Sequence, residues 1–244
     1  MRHFSLVLAL GFVALSAAAS AQIARGPIRP ADGPPVSPIQ IHFGTIDDLH
    51  HGDLSTGSRS GTPANQSVTL LAPDGGWVYG VTLGERSDRP CYVELHWATV
   101  DNGTLSRSST RNSGIGSCVP TNRSKEFAGF YPSEPVGDSD NARTMLRAID
   151  AFRVCQRNAN NLIKGLELSE AYLDELGGTT AGIGASSSVS RISRPNCNDW
   201  ESRHETCPSG EVLVGIEMDY ETRHGRRQGF TGFTPICAEI QIGR

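Results

Sequence analysis

This sequence predicts an all-β, disulfide-stapled domain assembled from three antiparallel repeat units. Three observations lead there: short runs with strand periodicity, a glycine-centred strand motif that recurs, and six cysteines behind an export signal.

The strand signal is direct. "CYVELHWATV" places Cys91, Val93, Leu95 and Trp97 on one face and Glu94 and His96 on the other, the period of a half-buried strand. Val78–Leu83, Ile149–Val154 and Ile236–Ile242 read as similar runs with turn residues between them. One segment, "LSEAYLDELGG", has helical spacing and a stop signal at Gly177.

The repeat comes from sliding the chain against itself. "APDGGWVYGVTL" (Ala72–Leu83) aligns without a gap to "CPSGEVLVGIEM" (Cys207–Met218), and "NNLIKGLEL" (Asn160–Leu168) is a partial third copy. Each carries an apolar triplet or its remnant, then a glycine: Gly80, Gly165 and Gly215. Glycine inside a strand costs stability unless it permits a bulge, a bend or a close backbone approach. Its recurrence therefore predicts a repeated bend in a repeated unit. Trp77 takes the place of Val212 in this alignment, which assigns it to the core.

A second element also recurs. "AIDAFRVC" (Ala148–Cys155) is similar to "GFTPICAEI" (Gly232–Ile240), an apolar strand that reaches a cysteine. An opening strand with the glycine and a closing strand with the cysteine make one antiparallel unit. On that arrangement Cys207 pairs with Cys237, and Cys91–Cys118 with Cys155–Cys197 complete the set, one of many connectivities that six cysteines allow.

"CPSGEVLVGIEMDYE" followed by "GFTGFTPICAEI" resembles the cysteine-bounded repeat of the vitelline membrane outer layer proteins and related repeats in exported bacterial proteins. The resemblance implies a β-prism, three small antiparallel sheets about a pseudo-threefold axis, as in jacalin-like lectins. It is strongest over Cys207–Ile240 and weaker over Ala72–Leu83 and Ala148–Leu168. Ala72 stands where the motif has cysteine, and the repeat spacings are uneven, so an irregular β-sandwich remains the alternative.

The N-terminus has a basic start (Met1-Arg2-His3), an apolar run (Phe4–Leu15) and Ala19-Ser20-Ala21, the pattern of a signal peptide over residues 1–21 cleaved after Ala21. Residues 22–66 are rich in Pro, Gly and Ser without period, which predicts a disordered arm. Residues 67–244 form the single all-β repeat domain, with a flexible loop near 177–196. The export signal implies a secreted or periplasmic protein, in which an even cysteine count reads as disulfides. The net charge of −4 gives no electrostatic case for nucleic acid, and no segment after the signal has the length of a membrane span.

Catalytic constellations are weak. "GDSD" (Gly137–Asp140) places Ser139 in a polar loop without the strand–turn–helix of a nucleophile elbow. "DDLHHGD" (Asp47–Asp53) gathers His and Asp in a segment with no period, so neither a metal nor a cofactor is assigned. Among binding candidates, "RHGRRQG" sets Arg223, His224, Arg226 and Arg227 at a hairpin tip, suited to an anion such as an acidic glycan, or else a solvated loop. Trp200 and Tyr220 stand in polar company and are candidates for stacking on a sugar ring, while Trp97 belongs to the core face. Asn65, Asn102 and Asn122 open Asn-x-Ser/Thr sequons.

These readings favour an exported binding module without catalysis, associated with a glycan or an envelope or matrix component. One alternative is an extracytoplasmic hydrolase using carboxylates such as Glu94, Asp138 and Asp140. The other is a purely structural extracellular or envelope protein.

Overall fold

Strands run through nearly all of the computed structural model, which describes residues 48–101, 104–111, 124–132, 146–174, 180–223 and 226–243. In chain order they are β1 (Leu49–His51), β2 (Ser55–Thr56), β3 (Ser60–Gly61), β4 (Gln66–Leu71), β5 (Trp77–Arg86) and β6 (Arg89–Asp101). Then come β7 (Thr104–Arg111), β8 (Lys125–Gly129), β9 (Leu146–Gln156), β10 (Ile163–Asp174) and β11 (Gly182–Ser193). The last are β12 (Asp199–Trp200), β13 (Glu205–Thr206), β14 (Val212–Arg223), β15 (Arg226–Ala238) and β16 (Ile240–Ile242). No helix among the described residues is long and apolar enough to cross a membrane.

The strands form three antiparallel sheets. The first has the order β7-β6-β5-β8, the second β11-β10-β9-β12 with β13 also on β9, and the third β2-β15-β14-β4 with β3 on β15. A two-stranded ribbon, β1-β16, lies at one end. Three sheets around shared cores make the architecture a β-prism-like assembly rather than a two-layer sandwich. Both apolar clusters draw on all three sheets: one unites Val93, Phe152 and Phe233, the other Trp77, Leu173 and Val214.

The recurring glycines mark the repeat. On the centre strand of each sheet the register slips just before the glycine, between Val78 and Gly80, Ile163 and Gly165, and Leu213 and Gly215. The extra residues are Tyr79, Lys164 and Val214. A second slip follows four residues after each glycine, at Gly84/Glu85, Ser169/Glu170 and Asp219/Tyr220, with the extra residue now on the partner strand. Two bulges per unit at matching offsets give each sheet the same coil, and a bulge sharpens local twist in the way a closed prism needs.

The second unit is the same device turned end for end. β5 starts where β9 starts, since Trp77 Nε1 donates to Arg147 O at 2.9 Å. β10 instead starts at the far end, where Lys164 Nζ donates to Asp88 Oδ1 at 2.5 Å. The lateral order reverses with it: β8 meets β11 through Gly129 N to Ser190 Oγ, and β9 meets β3 through Val154 N to Ser60 Oγ. Turning an antiparallel sheet by half a turn about its normal keeps the same face inward, so the core is preserved. In this unit β9, the closing strand, precedes β10 in the chain, whereas β6 and β15 follow their partners.

Four expectations are corrected. "LSEAYLDELGG" is strand, not helix, through Asp174; the bulge after Ser169 lets Leu168 and Ala171 both face inward and so imitates helical spacing. The loop near 177–196 contains β11, an edge strand whose small polar residues face solvent. The described part of the 22–66 arm, from Asp48, is built into β1, β2 and β3. Trp97 is half-buried and donates to Thr110 Oγ1 at 3.1 Å, because beyond the Tyr79 bulge Ala98 and Val100 take the inward positions.

Cys155–Cys197 and Cys207–Cys237 are disulfides, with Cα atoms 5.6 and 5.7 Å apart. Cys91 is also disulfide-bonded, and Cys118 lies outside the described residues.

Candidate functional site: an aromatic face on the first sheet

Because the three units are equivalent, their outward faces can be compared position by position. Two residues past each glycine, a centre-strand side chain sits between cross-strand neighbours on the solvent face. In the second sheet this row is Arg153–Glu167–Arg191, and in the third Thr234–Glu217–Thr69. In the first it is Glu94–Thr82–Phe127. Only here does the row carry an aromatic ring.

Phe127 does not stand alone. Its ring lies 5.5 Å from that of Tyr131 at an interplanar angle of 25°, and meets His96 edge-on at 5.1 Å and 82°. Tyr79, the bulged residue, reaches Tyr131 at 6.1 Å and His96 at 6.0 Å. Tyr79 is buried, but Phe127 is 36% exposed and Tyr131 50% exposed, so the cluster is anchored at its base and open at its top. Gly80 makes this possible: a Cβ there would stand 2.5 Å from Phe127 Cζ. The absent side chain lets the ring lie across β5.

Polar groups border the rings. Thr82 Oγ1 and His96 Nε2 share a hydrogen bond of 2.8 Å. Tyr92 Oη and Ser109 Oγ each donate to the Glu94 carboxylate at 2.6 Å, and Lys125 Nζ stands 4.2 Å over the Tyr92 ring. Burial alone would raise the Glu94 carboxyl; the Ser109 and Tyr92 hydroxyls outweigh it and hold Glu94 below its ordinary value. The Tyr92 phenol is pushed up to about 12 by burial and by its bond to Glu94. Burial also lowers His96, against the pull of Glu94, which keeps the imidazole neutral. The arrangement is a fixed aromatic surface beside an ionised acceptor and a neutral imidazole.

The residues expected from sequence fall elsewhere. Tyr220 is 5% exposed within the core cluster, so its stacking role is corrected: it continues the inward alternation of Ile216 and Met218. Trp200, on β12, packs at Gly165, and the guanidinium groups of Arg191 and Arg153 lie 4.6 and 5.6 Å from its ring centroid. Both arginines also hold Glu167, as does His204 Nε2 at 2.9 Å. Trp200 thus lies in an ion-paired network on the second sheet. Arg223 and Arg226 are register partners at the β14–β15 hairpin and Arg227 follows in β15; His224 lies outside the described residues, as do Asp138, Ser139 and Asp140.

His50 and His51 both engage Asp74, whose carboxyl is lowered chiefly by the His51 backbone N–H. This ties β1 to the turn before β5. Among the described residues no three His, Cys, Asp or Glu side chains gather as a metal set. The aromatic face escaped the sequence reading, although "EFAGFY" (Glu126–Tyr131) concentrates its rings beside the Glu94/His96 face already visible in the alternation.

No family model matches the chain, and no curated protein matches it. Among solved structures it is similar to the agglutinin of Calystegia sepium, at 9% identity and a TM-score of 0.35 over 78% of this chain and 97% of that one. The Calsepa lectin in complex with a bisected glycan gives 8% identity and a TM-score of 0.37 over 79% and 99%. The same lectin with a biantennary N-glycan gives 9% and 0.35 over 78% and 97%.

Proposed function

We propose that this protein is an exported glycan-binding module without catalytic activity, and that its ligand stacks on the Phe127–Tyr131 surface. The observation that carries this reading is the pair of half-exposed rings packed against Gly80, Tyr79 and His96. Exposed aromatics fixed against a sheet offer a flat apolar surface with polar edges. A pyranose ring presents the complement, an apolar C–H face rimmed by hydroxyls. Glu94 accepts from such hydroxyls, and the neutral His96 and Thr82 add donor and acceptor atoms.

A general acid needs a raised carboxyl pKa, whereas Glu94 is held low, so its setting favours binding over glycoside hydrolysis. Export is supported by the N-terminal signal pattern and by disulfides that persist in oxidising compartments.

The test is a broad glycan array probed with the disulfide-intact protein, followed by calorimetry on the hits. Tyr131→Ala and Phe127→Ala should each remove binding while the folded circular dichroism spectrum is retained. Retained affinity in both variants, or a blank array with folded protein, sinks the proposal.

A further inference from the structure

Lys125 shares the outward face of β8 with Phe127, since Lys125 is the register partner of Gly84 and Phe127 of Thr82. At a rise of about 3.3 Å per residue, the two stems lie about 7 Å apart. Gly84 puts no side chain between the lysine and β6, and Lys125 Nζ reaches to 4.2 Å from the centre of the Tyr92 ring. Arg111, exposed on β7, is the register partner of Glu94 and hydrogen-bonds to the Tyr92 phenol. The ring contact holds Lys125 in place without neutralising it. Glu94 attracts Lys125 through space, but its carboxylate is already bonded to the Tyr92 and Ser109 hydroxyls, and Glu126 is held by Arg194 at 3.4 Å. Two cations thus border the rings against one carboxylate.

A lysine needed to build the repeat would recur at matching positions. Four residues past Gly165 and Gly215, the register partners of Ser169 and Asp219 are Val189 and Ser67, where the first sheet has Lys125. The cation is therefore confined to the sheet whose neighbouring row carries Phe127.

Given the stacking proposed above, on which this depends, we infer that the sugar on Phe127 and Tyr131 is an acidic one, its exocyclic anion held over Gly84 by Lys125 and Arg111. A pyranose on Phe127 is wide enough for its C5 substituent to reach the next row. Ammonium and guanidinium groups bind carboxylate and sulfate through N–H donors. The Glu94 charge disfavours an anion in the row of Thr82, which directs it to the row of Lys125, and leaves Glu94 to accept from ring hydroxyls. A cationic sugar is disfavoured because two cations flank the one carboxylate. A nucleotide also joins a ring to an anion, but a nucleic acid brings repeated phosphates against a chain of net charge −4.

Calorimetry across a salt series compares galacturonate and glucuronate oligomers with their methyl esters, which keep the ring and remove the charge. Galactose oligomers sulfated at O6 distinguish sulfate from carboxylate, and oligothymidylate is the rival ligand. The acids should bind about three- to tenfold more tightly than the esters at low salt, the size expected of two partly exposed ion pairs, and the gap should shrink as salt rises. Lys125→Met keeps the stem over Tyr92 and should abolish the preference while ester affinity and the folded circular dichroism spectrum are retained; Arg111→Gln should reduce it. Phe127→Ala/Tyr131→Ala should remove acid and ester binding alike. Equal affinity for acid and ester, or a preference that survives Lys125→Met, overturns the acidic ligand and leaves the stacking standing. Undiminished binding of both in the aromatic variant, or no binding of any probe by folded protein, overturns the stacking and the acidic ligand together. Tighter binding of oligothymidylate than of any acidic sugar overturns the glycan as occupant.

Discussion

Replacing Gly80 and Gly215 by alanine, one at a time, sets the repeat's two uses of glycine against each other. At Gly80 the new methyl meets the end of the Phe127 ring at 2.5 Å and the Ala128 carbonyl at 3.0 Å. That ring is partly exposed and can swing outward, so the strain is relieved by a side chain. At Gly215 the methyl meets the Leu70 carbonyl at 2.7 Å, and backbone of β4 must move. Overpacking costs roughly 1–3 kcal/mol, and alanine regains about 0.5–1 kcal/mol by restricting the unfolded chain. Gly80→Ala should then cost about 1 kcal/mol or less, and Gly215→Ala about 2 kcal/mol or more. Urea unfolding monitored by tryptophan fluorescence gives both values. Glycan binding should rank the variants in the opposite order, because only Gly80→Ala displaces Phe127. Equal costs, or a Gly215→Ala protein as stable as the parent, refute the idea that these glycines exist for close strand approach.

Other outcomes follow from the ion pairs, the imidazole and the disulfides. Glu167→Gln leaves Arg153 and Arg191 facing each other without their shared carboxylate; the loss should be about 2 kcal/mol, below the range for a fully buried pair because Arg191 is half exposed. Burial would raise Glu167, but the two arginines hold it below 4.5, so its contribution is complete above pH 4.5 and is lost as pH falls through the lower folded value. A melting series should show the Gln variant losing less stability than the parent across that acid window. His96 has its folded pKa below 6.5, so the stability its neutral form provides is present above pH 6.5 and lost as pH falls through the folded value. Glycan affinity should decline over the same interval, and calorimetry at pH 7.5 and 5 would register no change if His96 stands apart from the site. Cys207→Ser/Cys237→Ser opens a bridge between residues 30 apart and should cost about 3–4 kcal/mol in chemical denaturation.

The fold was legible where a single residue type had to serve a geometric need. Gly80, Gly165 and Gly215 could be aligned because each bulge brings a neighbouring strand or ring too close for a Cβ, and no other residue substitutes there. The reversal of the second unit was hidden, since a sheet turned in its own plane keeps its inward residues and leaves only altered chain spacing behind. Bulges also disguised local structure: Leu168 and Ala171 share a face across one, which gave strand the spacing of helix. Ser-rich β11 passed for a linker because an exposed edge strand has no apolar alternation to display. The site was harder still. Phe127 and Tyr131 lie far in sequence from Tyr79 and His96, and only the β5–β8 register places them together. Tyr220 looked exposed by its polar neighbours Asp219 and Glu221, yet it continues the inward alternation of Ile216 and Met218.

The most direct test of the central claim is chemical-shift mapping by nuclear magnetic resonance, titrating isotope-labelled protein with the tightest neutral glycan from the array. Stacking on the first sheet predicts the largest shifts at the ring protons of Phe127 and Tyr131, with smaller ones at His96 and Thr82 and a still spectrum around Trp200. Shifts centred on Trp200 and Arg191, with Phe127 and Tyr131 unmoved, would contradict it.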